Sequence, residues 1–182
     1  MKNKRVASAF ALFLAGAASA WAAPASHITF TGDSTLHAFS GEATAEAPTW
    51  MRQTNGAWRV DLHVRAADLH TGHDKRDRNM WRMLEGELFP TLSGFMEDLP
   101  ALAPGGSATH RLRLRIHGRE LEVPATITAA PGADGAPQLD VHFVVSLQAL
   151  ALKPPAVLGL IRVHDTVDVH VRIPPPGEQP SI

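Results

Sequence analysis

Two short stretches hold the side chains best suited to chemistry. In HTGHD, residues 70–74, His70, His73 and Asp74 stand close together with Asp77 nearby. Imidazole and carboxylate are ligand types for Zn2+ or Cu2+. A metal site needs three or four converging ligands, and this spacing assures only two near each other, so no metal ligand is assigned. Among the ten His residues, His63, His117, His142 and His170 fall on polar strand faces and are read as solvated. The second stretch, GDSTLH, places Asp33, Ser34 and His37 together. It lacks the G-x-S-x-G elbow that exposes a nucleophilic serine, and its Ser and Asp suit a turn. No catalytic residue is assigned and the chain is not read as an enzyme. A third feature, RLRLR at 111–115, could dock a partner, but Glu120 and Glu122 face it across a hairpin and could pair with it.

Bulk properties narrow the field further. The chain has 182 residues, 45% apolar and 19% charged, enough to bury one core. The net charge of −1 argues against a nucleic-acid partner, because phosphate binding needs a clustered basic face. MKNKR followed by VASAFALFLAGAA reads as the basic and apolar regions of a secretory signal peptide. ASA (18–20) and AWA (20–22) both fit its cleavage site, which puts the cut near Trp21 or Ala23. The expected organisation is a signal peptide over 1–22, a barrel domain over 23–174 and a loose Pro-rich tail over 175–182. Loss of Lys2, Lys4 and Arg5 leaves 14 basic against 18 acidic residues, a mature charge of −4. With no Cys there is no disulfide, so the core alone must hold the exported chain.

The elements that would position a site show period-two alternation. Trp58, Val60, Leu62 and Val64 share one face of a strand. Leu112, Leu114 and Ile116 share another, as do Leu121, Val123, Ala125 and Ile127. Leu139, Val141, Phe143, Val145 and Leu147 follow, then Val167, Val169, Val171 and Ile173. HITFTG, GEATAEAP and FPTLSGFMEDL are weaker strands, the last with a bulge expected at Gly94. TNG (54–56), HGR (117–119) and PGADG (131–135) mark turns. The reading is all-β, eight antiparallel strands, and closure into a barrel removes the exposed edges. Such a barrel is just wide enough to be filled by side chains or to hold one small ligand. An outer-membrane barrel would show aromatic girdles; aromatics here are 6% and Tyr is absent, so the apolar face is placed inside.

One short helix interrupts the pattern between the third and fourth strands. In GHDKRDRNMWRML, Asp74 is expected to cap it and Asp77 to complement its dipole. Met80, Trp81, Met83 and Leu84 then form one apolar stripe. The stripe must cover something apolar, and the barrel mouth is the nearest such surface. The ligand-lining set is accordingly Trp58, Val60, Leu62, Val64, Leu112, Leu114, Val123, Ala125, Ile127, Val141, Phe143 and Val145. Ala43 and Ala45 would leave space opposite, and Met80, Trp81 and Leu84 would close the mouth.

Four segments together resemble the YceI family: STLHAFSG (34–41), VRAADLHTGHDKRDRNMWRMLEGELFPTLSGF (64–95), LRLRIHGRELEVPATI (112–127) and LGLIRVHDTVDVHVRI (158–173). The likeness spans nearly the whole mature chain, and the order and spacing of the motifs carry it. The resemblance implies a lipocalin-like antiparallel barrel in the bacterial periplasm. It also implies an elongated apolar pocket for an isoprenoid-type lipid or another amphipathic small molecule. No cofactor is expected beyond such a bound lipid or a quinone, and no integral membrane protein is implied. The competing reading is a solid barrel that acts as an adaptor for an envelope redox or membrane partner. Oligomeric state stays open, a dimer included.

Overall fold

The computed structural model describes residues 25–132, 135–154 and 163–177. The described residues form nine strands: β1 Ser26–Ser34, β2 Ala38–Ala45, β3 Thr49–Arg52, β4 Trp58–Arg65, β5 Thr91–Leu99, β6 Ser107–Ile116, β7 Arg119–Pro131, β8 Pro137–Ser146 and β9 Val163–Ile173. A 3-10 turn at Ala66–Asp68 leads toward the one α-helix among the described residues, α1, Asp74–Met83. All pairings are antiparallel, in the order β2-β1-β9-β8-β7-β6-β5-β4-β3. The ninth strand is β3, four residues that pair with β4 across the Asn55–Gly56 turn. Four residues are too few for an alternation to show, so sequence reading gave eight strands.

The chain forces this sheet to curl. β2 and β3 lie at opposite ends of the strand order, and nine flat strands would hold them about 38 Å apart at a spacing near 4.8 Å. Yet only residues 46–48 join them, and four Cα steps span at most about 14 Å. The edges therefore meet across a seam. Glu42 N donates to the His70 carbonyl at 2.7 Å, and His70 N donates to that of Glu42 at 2.9 Å. Trp50 Nε1 donates to Pro174 O at 3.1 Å and ties β3 to the chain beyond β9. Gly41 makes the approach of β2 possible, because a Cβ there would strike the Phe30 ring and lie 2.7 Å from the His70 carbonyl oxygen.

The β6–β7 hairpin follows its turn chemistry. Ile116 pairs with Arg119, leaving His117 (φ 53°) and Gly118 (φ 66°) as a two-residue loop, and two positive φ values define a type I′ turn. At Gly94 the expected bulge is absent, since Gly94 pairs in register with Leu62 and Leu114. It is a point of close packing instead, and a Cβ there would lie 3.3 Å from Leu112 and Leu114. The irregularity in β5 falls nearer its end, between the Met96 and Leu99 pairings, where Asp98 has φ 55°.

The helix also starts differently from expectation. His73 occupies the N-cap with extended backbone and no side-chain cap, and Asp74 is the first helical residue. Asp77 reaches back, accepting from Thr71 N at 2.9 Å and Thr71 Oγ1 at 2.5 Å. A carboxylate in the first turn thus satisfies the chain before the helix rather than the helix itself. Residues 1–22, for which a signal peptide is expected, lie outside the described residues. No described helix is long and apolar enough to cross a membrane.

Candidate functional site: the barrel cavity

Inward positions of the strands enclose a cavity of about 610 Å³, inside the ordinary range for small-molecule sites. Its wall is a product of register. Val60 faces Met96, Val64 faces Leu92 and Leu62 faces Gly94, with Leu114 beyond it. On the other side Val141 pairs with Val171 and Phe143 with Val169. Because i and i+2 share a face, each strand contributes a row, and the wall is aliphatic and aromatic almost throughout.

The helix closes one end. Met80, Met83 and Leu84 line the cavity, and Leu84 is buried. Polar groups collect at this end: Ser34, His37, Thr71, His73, Lys75, Arg76 and Asn79. The Arg76 guanidinium lies 5.4 Å from the centre of the Phe39 ring, which holds a cation beside the opening.

Of the residues expected to line a ligand site, Val60, Leu62, Val64, Met80, Leu84, Leu112, Leu114, Val141, Phe143 and Val145 do line the cavity. The other seven lie elsewhere. Ala43, Ala45, Val123, Ala125 and Ile127 are packed into the core cluster away from the open space. Trp58 sits edge-on to Trp50 at 6.2 Å and beneath Arg52. Trp81 lies against Gly86, where a Cβ would strike its ring. Sequence reading left out Ile28, Phe30, Met96, Leu150 and Leu152. The alternation of HITFTG pointed to Ile28 and Phe30; Leu150 and Leu152 belong to a turn with no period to read.

Ser34 Oγ donates to His37 O at 2.8 Å and accepts from His37 N at 3.3 Å, so it closes a turn. Near the helix, His70 Nδ1 is 3.8 Å from Asp77 Oδ2, and the 70–77 stretch does not bring three ligand atoms together among the described residues. The resolved shifts in ionisation lie on the outer surface. Hydrogen bonding to Arg65 lowers the Asp68 carboxyl, and bonding to Arg115 lowers that of Glu120. The Ser146 hydroxyl and the Gln148 amide lower Asp165. His117, read as solvated, is a turn residue with its ring 5.1 Å from Phe89 and Nε2 3.2 Å from Glu85.

Comparison with known proteins agrees with this architecture. A family model described as a YceI-like domain matches residues 17–174. No curated protein matches the sequence. A polyisoprenoid binding domain from Saccharophagus degradans, described as implicated in plant cell wall breakdown, superposes with a TM-score of 0.60 at 15% identity over 82% of this chain and 94% of that one. BcnA of Burkholderia cenocepacia superposes at 0.62 with 14% identity, over 81% of this chain and 94% of that one. At such identities these likenesses speak for the fold.

Proposed function

The chain belongs to the YceI-like domain family, and on that premise we propose that it is a periplasmic, non-catalytic carrier. In this reading it holds an isoprenoid-type lipid, a quinone or a similar amphipathic small molecule in its barrel. The observation that carries the proposal is the 610 Å³ cavity, lined mostly by apolar side chains, with Thr71, His73, Lys75, Arg76 and Asn79 at its helix end. An amphipathic molecule matches that polarity, with its chain inside and its head beside Lys75, Arg76 and Asn79. Each buried CH2 contributes about 0.8 kcal/mol, so ten carbons would offset a sizeable ordering cost. The structural relative described as binding polyisoprenoid supports the same ligand class. Export is supported by the form of the N-terminal sequence.

The adaptor reading rests on Arg111, Arg113 and Arg115. Arg111 lies 3.3 Å from Glu122, Arg113 lies 3.4 Å from Glu122 and 3.9 Å from Glu97, and Arg115 is paired with Glu120. The patch is thus largely neutralised within the sheet and offers a partner little net charge.

The test is solvent extraction of protein purified from a bacterial envelope, with mass spectrometry of the extract. One equivalent of an apolar or amphipathic lipid is expected. Leu62→Trp should fill the space and weaken binding of a fluorescent lipid probe at least tenfold while leaving the β-sheet signal intact. If no lipid is extracted and no probe binds the emptied protein, the barrel is not a carrier.

A further inference from the structure

The outer faces of β8 and β9 hold a cluster that plays no part in the cavity. His142 and His170 are direct partners in the ladder, and their rings stack at 4.4 Å with an interplanar angle of 22°. Asp168, two residues before His170, shares its face. Its Oδ2 lies 3.0 Å from His142 Nε2 and its Oδ1 lies 3.4 Å from His170 Nε2. Asp140, two residues before His142, places Oδ1 3.3 Å from His170 Nδ1 and Oδ2 3.6 Å from Arg172 Nε. The neighbouring positions on β1 and β7 are Thr29, Thr31, Thr126 and Thr128, with His27 opposite Arg172. The charged and titratable groups facing the cluster are therefore Asp140, Asp168, Arg172 and His27.

We propose that His142, His170 and Asp168 form a surface site for a divalent transition cation of the Zn2+ type, with Asp140 as a positioning residue. Two imidazole nitrogens and one carboxylate oxygen lie within 4.8 Å of one another. Zn–N and Zn–O lengths near 2.0–2.1 Å imply donor separations of about 3.3 Å in a tetrahedron. Asp168 Oδ2 and His142 Nε2, 3.0 Å apart, are already near that separation; the three donors, one from each residue, lie within 4.8 Å of one another, so a modest side-chain rotation completes the set and solvent can supply the fourth position. Asp140 gives the arrangement its direction. When Asp140 accepts a hydrogen bond from Nδ1–H of His170, Nε2 of the neutral ring carries its lone pair on the side of Asp168, and a carboxylate so placed favours the tautomer that binds metal. A lone pair and a carboxylate oxygen facing each other at 3.4 Å repel unless a cation or a proton lies between them. Proton and metal therefore compete, and affinity falls on acidification. The backbone of two paired strands holds the donors, so binding needs only side-chain rotation.

The test is calorimetric titration of the mature protein, stripped by chelator, with ZnCl2 in the presence of a competing chelator. One equivalent is expected with micromolar affinity or better. His142→Gln and His170→Gln should each weaken it at least tenfold, and Asp140→Asn by a smaller factor. His63→Gln and His73→Gln, elsewhere on the surface and at the mouth, should leave it unchanged. Zn2+ should also shift the imidazole nitrogen resonances of His142 and His170 and not that of His63, a readout that needs no variant to fold. Binding weaker than millimolar, or stoichiometric binding that survives both His142→Gln and His170→Gln, would overturn the assignment.

Discussion

Asp165 accepts from Ser146 Oγ and from Gln148 N, both at 2.7 Å, and these bonds to the ionised form hold its carboxyl below the ordinary 3.8. A lowered value in the folded state adds stability above the unfolded value that is lost as pH falls through the folded one. Asp165→Asn should therefore lower the melting temperature at pH 7, and the difference from the wild type should begin to shrink near pH 3.8 and vanish only once the pH has fallen through the lower folded-state value. Melts from pH 7 downward check this. A second residue-scale outcome concerns Ala45, which is 3% exposed and lies outside the cavity. Ala45→Trp has no space to fill and should overpack the seam, costing about 1–3 kcal/mol or more. In denaturant unfolding it should lose stability where Leu62→Trp loses little. The alternation of GEATAEAP showed that Ala45 faces inward, but which inward residues border open space depends on strands distant in sequence.

At the scale of elements, α1 was legible because Met80, Met83 and Leu84 recur at helical spacing over a polar remainder. Its start was not, because Asp77 is taken by Thr71, a side-chain contact six residues back that no helix propensity records. Leu84, the C-cap of the helix, is buried and anchors its end, and Leu84→Ala should cost about 2–5 kcal/mol in chemical denaturation. Met83→Ala, at a half-buried position on the cavity wall, should instead chiefly speed release of a bound probe. The seam is the other element-scale device. Gly41→Ala would press on Phe30 and the His70 carbonyl, so the amides of Glu42 and His70 should exchange with deuterium faster while those of the β6–β7 ladder keep their protection.

For the molecule as a whole, a barrel around an open apolar space gains stability from whatever fills it. A ligand at 100 times its dissociation constant adds about 2.7 kcal/mol. At 2–4 °C per kcal/mol for a chain of this size, delipidation should lower the melting temperature by roughly 5–10 °C, and adding back the extracted lipid should restore it. Calorimetry before and after extraction checks this. A melting temperature indifferent to extraction would mean that the space is not the lipid's place.

By itself the sequence determined every described strand except β3, the hairpin at His117–Gly118, the inward rows of β4, β6 and β8, and the helix that interrupts them. These follow from period, turn chemistry and spacing, all local to a few residues. Tertiary structure alone decided where the sheet closes, which of the inward residues face a void, and that His142, His170 and Asp168 converge. Read singly, His142 and His170 are two polar residues on two strands, separated by the turn and the chain between β8 and β9. Ladder register sets them face to face, and register is a property of the pairing between strands rather than of either strand.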